Sequence, residues 1–169
     1  MMGRLVPLLL VLAACSPRNG GGPDGAPAPS SEAARTDAPV ITLERTPCLG
    51  GCPVYSLSIS GDGLVRFVGR HHTDHAGEAS ARIPPERVDS LLDELRAGGY
   101  LEFADAYVHD APACGRYATD SPAVITSAVF GNERKEIRHD YGCIDAPKAL
   151  NALERRIDEV AGSSRWVGR

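Results

Sequence analysis

Apolar and polar positions alternate with period two over Tyr55, Leu57 and Ile59, which are interleaved with Ser56, Ser58 and Ser60. That alternation predicts a half-buried strand. Gly61-Asp62-Gly63 supplies turn residues, and Leu64-Val65-Arg66-Phe67-Val68 returns, so the two runs predict a hairpin. An earlier strand is predicted at residues 40–45, and a shorter one around residues 79–83. Pro84-Pro85 then opens a helical period in which Val88, Leu91, Leu92 and Leu95 share a face, closed by Gly98-Gly99. Residues 124–130 and 136–141 predict a second hairpin about Gly131-Asn132. Asp145 is placed to cap a last helix with Leu150, Leu153, Ile157 and Val160 on one stripe, stopped by Gly162. Strands and helices in this order predict an α+β fold: an antiparallel sheet of about four to five strands with two helices packed on one face.

The first residues follow a different pattern. Arg4 and the amino terminus precede an apolar run over residues 5–12, and the run ends in Leu12-Ala13-Ala14-Cys15. A positive start, a short apolar stretch and small residues at a cleavage point make a secretory signal. The run is shorter than the roughly 20 apolar residues a membrane-spanning helix needs. Its end resembles the lipobox of bacterial lipoproteins. The resemblance implies cleavage after residue 14 and a diacylglyceryl group on Cys15, the one covalent lipid expected here. Ser16 follows, and in lipoprotein sorting a serine rather than an aspartate goes with the outer membrane over the inner.

Between the anchor and the first strand the chain is almost wholly Pro, Gly, Ala, Ser and charged residues, without apolar period. Such a segment cannot bury enough surface to offset the entropy of ordering. The expected organisation is therefore a signal peptide over residues 1–14, a lipidated, disordered tether over 15–39, and one α+β domain over 40–169.

Charge narrows the partners. The formal net charge is −4, opposite to the basic surface that nucleic-acid binding needs, so no nucleic acid is expected. The expected partners are the membrane, through the lipid, and an envelope protein or ligand. With Cys15 lipidated, Cys48, Cys52, Cys114 and Cys143 remain, in a compartment where disulfides persist. Four cysteines allow three pairings. We favour Cys48 with Cys52 and Cys114 with Cys143. In the chain-entropy model, a loop of about 30 residues contributes roughly 3–4 kcal/mol, and one of about five only about 2.

Cys48-Leu49-Gly50-Gly51-Cys52-Pro53-Val54-Tyr55-Ser56, Gly61-Asp62-Gly63, Thr119-Asp120-Ser121-Pro122, Ile157-Asp158 and Trp166 together resemble a domain of unknown function found in bacterial lipoproteins and exported proteins. The likeness runs over nearly all of residues 40–167. The family implies no activity, so the chemistry rests on the residues themselves.

Two sulfurs four residues apart in a glycine-loosened loop can close a disulfide or grip a soft metal. The spacing resembles the Cys-x-x-x-Cys-Pro copper-delivery motif of Sco-type proteins, without the βαβ pattern those proteins build around it. Cys48, Cys52, His71, His72 and His75 are thus the metal candidates, set against a structural disulfide and an exposed hairpin loop. Neighbouring histidines on an extended chain point to opposite faces. Asp110 and Asp120 are candidate functional carboxylates or turn residues bonding their own backbone, and Tyr100 and Trp166 are expected as core or edge anchors. Gly-x-Ser-x-Gly, Walker, His-Glu-x-x-His and Rossmann patterns are missing from the sequence. The expected function is a membrane-anchored binding module of the cell envelope, without a cofactor or catalytic residues. The alternative is a thiol-redox or copper/zinc-handling protein using Cys48 and Cys52.

Overall fold

The structure, a computed structural model, describes residues 38–168. The expected signal peptide, Cys15 and the expected tether up to residue 37 lie outside the described residues, while residue 39, expected to end the tether, opens the first strand. The elements run β1 (Pro39–Arg45), β2 (Val54–Ser60), β3 (Leu64–His71), β4 (Gly77–Arg82), α1 (Pro85–Ala97), β5 (Ala106–Tyr107), β6 (Ala123–Phe130), β7 (Glu133–Asp140), α2 (Lys148–Ala161) and α3 (Ser164–Val167).

The strands form one seven-stranded sheet in the order β4-β3-β2-β1-β6-β7-β5. The β2–β3 and β6–β7 hairpins flank β1, which pairs antiparallel with both β2 and β6. Period two then aligns one side of the sheet across strands. Leu57 lies opposite both Leu43 and Phe67, Leu43 opposite Thr126, and Thr126 opposite Ile137. Ile59 lies opposite both Ile41 and Val65. These residues are buried with Val88, Leu91 and Leu95 of α1 and Leu150, Ile157 and Val160 of α2. Burying such side chains contributes about 1.5–3 kcal/mol each.

The expected antiparallel sheet of four to five strands with two helices on one face is corrected here. The sheet is mixed and has seven strands, because β5 joins β7 in parallel, and a third short helix follows α2. A two-residue strand is too short to show any period. β5 belongs to the sheet because the chain leaving α1 runs along β7, where the Arg138 amide donates to the Asp105 carbonyl at 2.9 Å.

Two local features shape the rest. Gly63 turns the first hairpin at φ +84°, and a Cβ there would stand 2.0 Å from the Ile83 carbonyl oxygen. Gly162, in the left-handed region, ends α2, and α3 then lays Trp166 on Phe67 with ring centroids 5.0 Å apart. Asp145 does not cap α2. The helix begins after Pro147 without a side-chain cap, and Asp145 instead accepts from the Arg116 amide at 2.9 Å and from its guanidinium at 2.7 Å.

Candidate functional site

One end of the sheet gathers the ends of β1, β3 and β7 and the starts of β2 and β6. Two polar assemblies lie there, one under α2 and one on the surface.

The first begins with strand period. Arg45 follows Ile41 and Leu43 at spacing two, so it enters the layer beneath the helices, and Tyr55 stands opposite it on β2. His139 follows Ile137 in the same way on β7. Helix α2 brings Glu154 and Asp158, one turn apart, above this row. Asp158 accepts from Arg45 Nε at 2.9 Å and Nη2 at 2.6 Å, from the Tyr55 hydroxyl at 2.7 Å and from the Ser163 hydroxyl at 2.7 Å. Arg45 Nη1 donates to the Tyr141 oxygen at 3.1 Å, and that hydroxyl donates to Glu154 Oε2 at 2.9 Å. Glu154 Oε1 lies 2.8 Å from His139 Nδ1.

Burial opposes the Arg45 charge. The Asp158 carboxylate and the two phenol oxygens outweigh it and raise its affinity for the proton above the ordinary arginine value. Burial and the nearby Asp158 push the Tyr55 hydroxyl well above the usual tyrosine range, and burial and Glu154 raise that of Tyr141. Among the described residues, no buried side-chain nitrogen or oxygen lacks a hydrogen-bond partner. This assembly spends its donors and acceptors on itself, and its chemistry is to clamp α2 to the sheet.

The second assembly is the Cys48–Cys52 loop. The two residues are joined by a disulfide with Cα atoms 5.7 Å apart. Cys114 and Cys143 are joined likewise at 5.0 Å, inside the core. Leu49, at the outer edge of the small loop, is 82% exposed, and its amide donates to the Asp120 carbonyl at 3.2 Å. The loop's foot is fixed by Thr46, whose amide donates to the Ala123 carbonyl at 2.9 Å and whose hydroxyl accepts from the Ala123 amide at 2.8 Å. A Cβ on Gly51 would lie 4.0 Å from His72 Nδ1, so His72 borders the loop on the other side. His72 and Asp120 both hold positive φ, 53° and 69°, a backbone state that is uncommon outside glycine and gathers at functional sites.

The structure thus brings Cys48, Cys52, His72 and Asp120 to one surface. It leaves His75 apart, its Nε2 3.0 Å from the Glu78 carbonyl oxygen, and places His71 opposite Val54 at the end of β3. Among the described residues, no three His, Cys, Asp or Glu side chains stand where they could hold a metal ion. Asp110 pairs with His109 at 2.8 Å, and Tyr100 is fully buried with its hydroxyl donating to Thr126 at 2.7 Å.

Sequence reasoning passed over His139 and Glu154, and placed Arg45 only as the last residue of the first expected strand. Their signal was position: Glu154 falls four after Leu150 and three before Ile157 on the buried stripe, and His139 two after Ile137. The opposite side of the sheet carries a shallow hollow of about 420 Å³ lined by Thr42, Ser56, Ser58, Arg66 and Glu136 among others. Part of its polar rim is self-paired, with Thr42 and Ser127 hydroxyls 2.7 Å apart.

No curated protein matches the chain. Residues 39–161 match the family model described as Domain of unknown function (DUF6438), and since that is more than half of the sequence, the chain belongs to this family.

Proposed function

We propose that the chain is a lipid-tethered protein of the bacterial cell envelope and that its domain is a binding module, with the Cys48–Cys52 loop as the contact tip. The observation that carries the reading is Leu49, a large apolar side chain 82% exposed on a loop held by a disulfide and a backbone bond to Asp120. A lone exposed leucine is ordinary on a mobile loop. Here the loop is already fixed, so an apolar anchor can be buried by a partner at little ordering cost. The lipobox supports the anchor, and two disulfides support an oxidising compartment.

The test has two arms in cells. A lipid label should enter the full chain and be lost in Cys15→Ser. A photo-crosslinker at Gly51 should give one discrete envelope adduct that Leu49→Asp removes while the protein level stays constant. An adduct indifferent to Leu49→Asp sinks the contact tip, and lipid labelling indifferent to Cys15→Ser sinks the anchor.

A thiol-redox reading is favoured by one observation: the Cys48–Cys52 bridge lies in a surface loop and spans four residues, whereas Cys114–Cys143 is buried. It requires the small bridge to open under mild reductant, with a defined potential, while the buried one stays closed.

A further inference from the structure

β4 ends the sheet on the side away from β5. Edge strands in monomers are commonly blunted by proline, by inward-pointing charge or by a bulge. β4 has none of these within its six residues, Gly-Glu-Ala-Ser-Ala-Arg; its edge charges, Glu78 and Arg82, are of opposite sign and lie on the face away from the core. Its inward positions are Ala79 and Ala81, opposite Phe67 and Val65. Its register with β3 is unbroken.

The direction of its backbone groups follows from two bonds. The Ile83 amide donates to the Gly63 carbonyl at 3.0 Å, so Ile83, and with it Ala81, Ala79 and Gly77, bond toward β3. Glu78, Ser80 and Arg82 therefore turn their N–H and C=O groups outward. The His75 contact agrees, since Nε2 meets the Glu78 carbonyl oxygen from outside the sheet at 3.0 Å.

This outward row is self-complementary. Place a second β4 antiparallel, with a two-fold axis at Ser80. Ser80 then faces Ser80, Ala79 faces Ala81, and Glu78 faces Arg82 on both sides of the axis. All three outward residues fall at hydrogen-bonded pairs, which gives six backbone bonds and two opposite-charge pairs on one face of the joined sheet. A shift of two residues puts Glu78 against Ser80 and breaks the charge match, and a parallel arrangement sets like charges together. Arg82 Nη1 contacts Asp62 Oδ2 at 3.0 Å, and the guanidinium's remaining donors stay available for the partner's glutamate.

We propose that this chain associates with a second copy of itself through antiparallel pairing of β4 about Ser80, making one continuous sheet across two protomers. The contact is isologous, as a two-fold dimer requires, and its small area places it among transient interfaces. His75 occupies the Glu78 carbonyl in the single chain, so it competes with one of the partner's amides. The proposal stands independently of Leu49 and of the lipid.

The test uses the chain from Ser16 onward, which carries every strand, helix and core residue described above. Sedimentation equilibrium up to about 1 mM, the range of weak contacts, should show mass rising toward twice the monomer. His75→Ala should move the midpoint to lower concentration. Ser80→Pro should hold the protein monomeric, because it removes an outward N–H and leaves the β3 ladder intact. Should that variant misfold, Glu78→Arg should abolish association, and Glu78→Arg with Arg82→Glu should restore it.

Under mild oxidant Ser80→Cys should crosslink to itself, its Cα atoms about 5.5 Å apart at the axis. Glu78→Cys should not, since its two copies lie about 13 Å apart along the strands. It should crosslink when mixed with Arg82→Cys. A wild-type chain monomeric throughout the range overturns the proposal, as does crosslinking of Glu78→Cys equal to that of Ser80→Cys.

Discussion

The clamp beneath α2 and the Cys48–Cys52 loop lie three residues apart on the chain, Cys52 to Tyr55, and they treat polar chemistry in opposite ways. In the clamp, charge and hydroxyl are paired inward: Arg45 and Asp158 are 18% and 16% exposed and His139 and Glu154 1% each. In the loop a covalent bond fixes the backbone, and the apolar Leu49 is turned outward. The difference separates a strong electrostatic feature, closed on itself, from an exposed apolar one. A group whose bonding capacity is already filled stabilises the fold, whereas one held rigid and left uncovered is available to something else.

The largest effect should come from the clamp. Asp158→Ala leaves the Arg45 charge half-shielded with only phenol oxygens for partners, and should cost about 3 kcal/mol, a little discounted for its partial exposure. In a domain of this size that lowers the melting midpoint by roughly 10 °C, readable by calorimetry. A loss within about 0.5 kcal/mol, ordinary for a surface change, breaks the comparison.

The double variant Cys48→Ala with Cys52→Ala should cost less, about 2 kcal/mol at most, while removing any adduct formed at Gly51. A larger stability loss than that of Asp158→Ala in urea titrations makes the loop a structural element and reverses the assignment.

The smallest effect at neutral pH sharpens the comparison from the other side. Tyr55 and Tyr141 have raised affinities for their protons. The sign follows from linkage: their contribution is fully present below the ordinary tyrosine value of about 10, and is lost as pH rises through the higher folded values. Stability measured from pH 8 upward should therefore fall only above about pH 10, with phenolate absorbance appearing late. Tyr55→Phe should flatten the fall. Early, unshifted titration of both phenols contradicts a closed clamp.

Much of this was readable before any coordinates. Tyr55, Leu57 and Ile59 against three serines marked β2, Gly61-Asp62-Gly63 marked its turn, and Leu91 with Leu95 marked the buried side of α1. These signals are local, repeating within a few residues. The count and direction of strands are not local. β5 is two residues long, and β4 has no large apolar side chain, so neither carries a pattern that fixes its place in a sheet. Asp145 looked like a helix cap because Asp favours that position, yet Arg116, 29 residues earlier, takes its carboxylate. The clamp was hidden for the same reason. Arg45 and Asp158 are 113 residues apart, and a charged residue on a buried stripe reads as an interruption until its partner is known.

Trp166 is the chain's single tryptophan, and its carbonyl accepts the His75 amide at 2.9 Å while its ring lies on Phe67. The protein thus carries one indole fluorophore, seated where the carboxyl-terminal turn, β3 and the 71–75 loop meet. Its emission reports on that junction alone, so undocking of the last turn can be timed optically and separated from melting of the sheet without adding a dye.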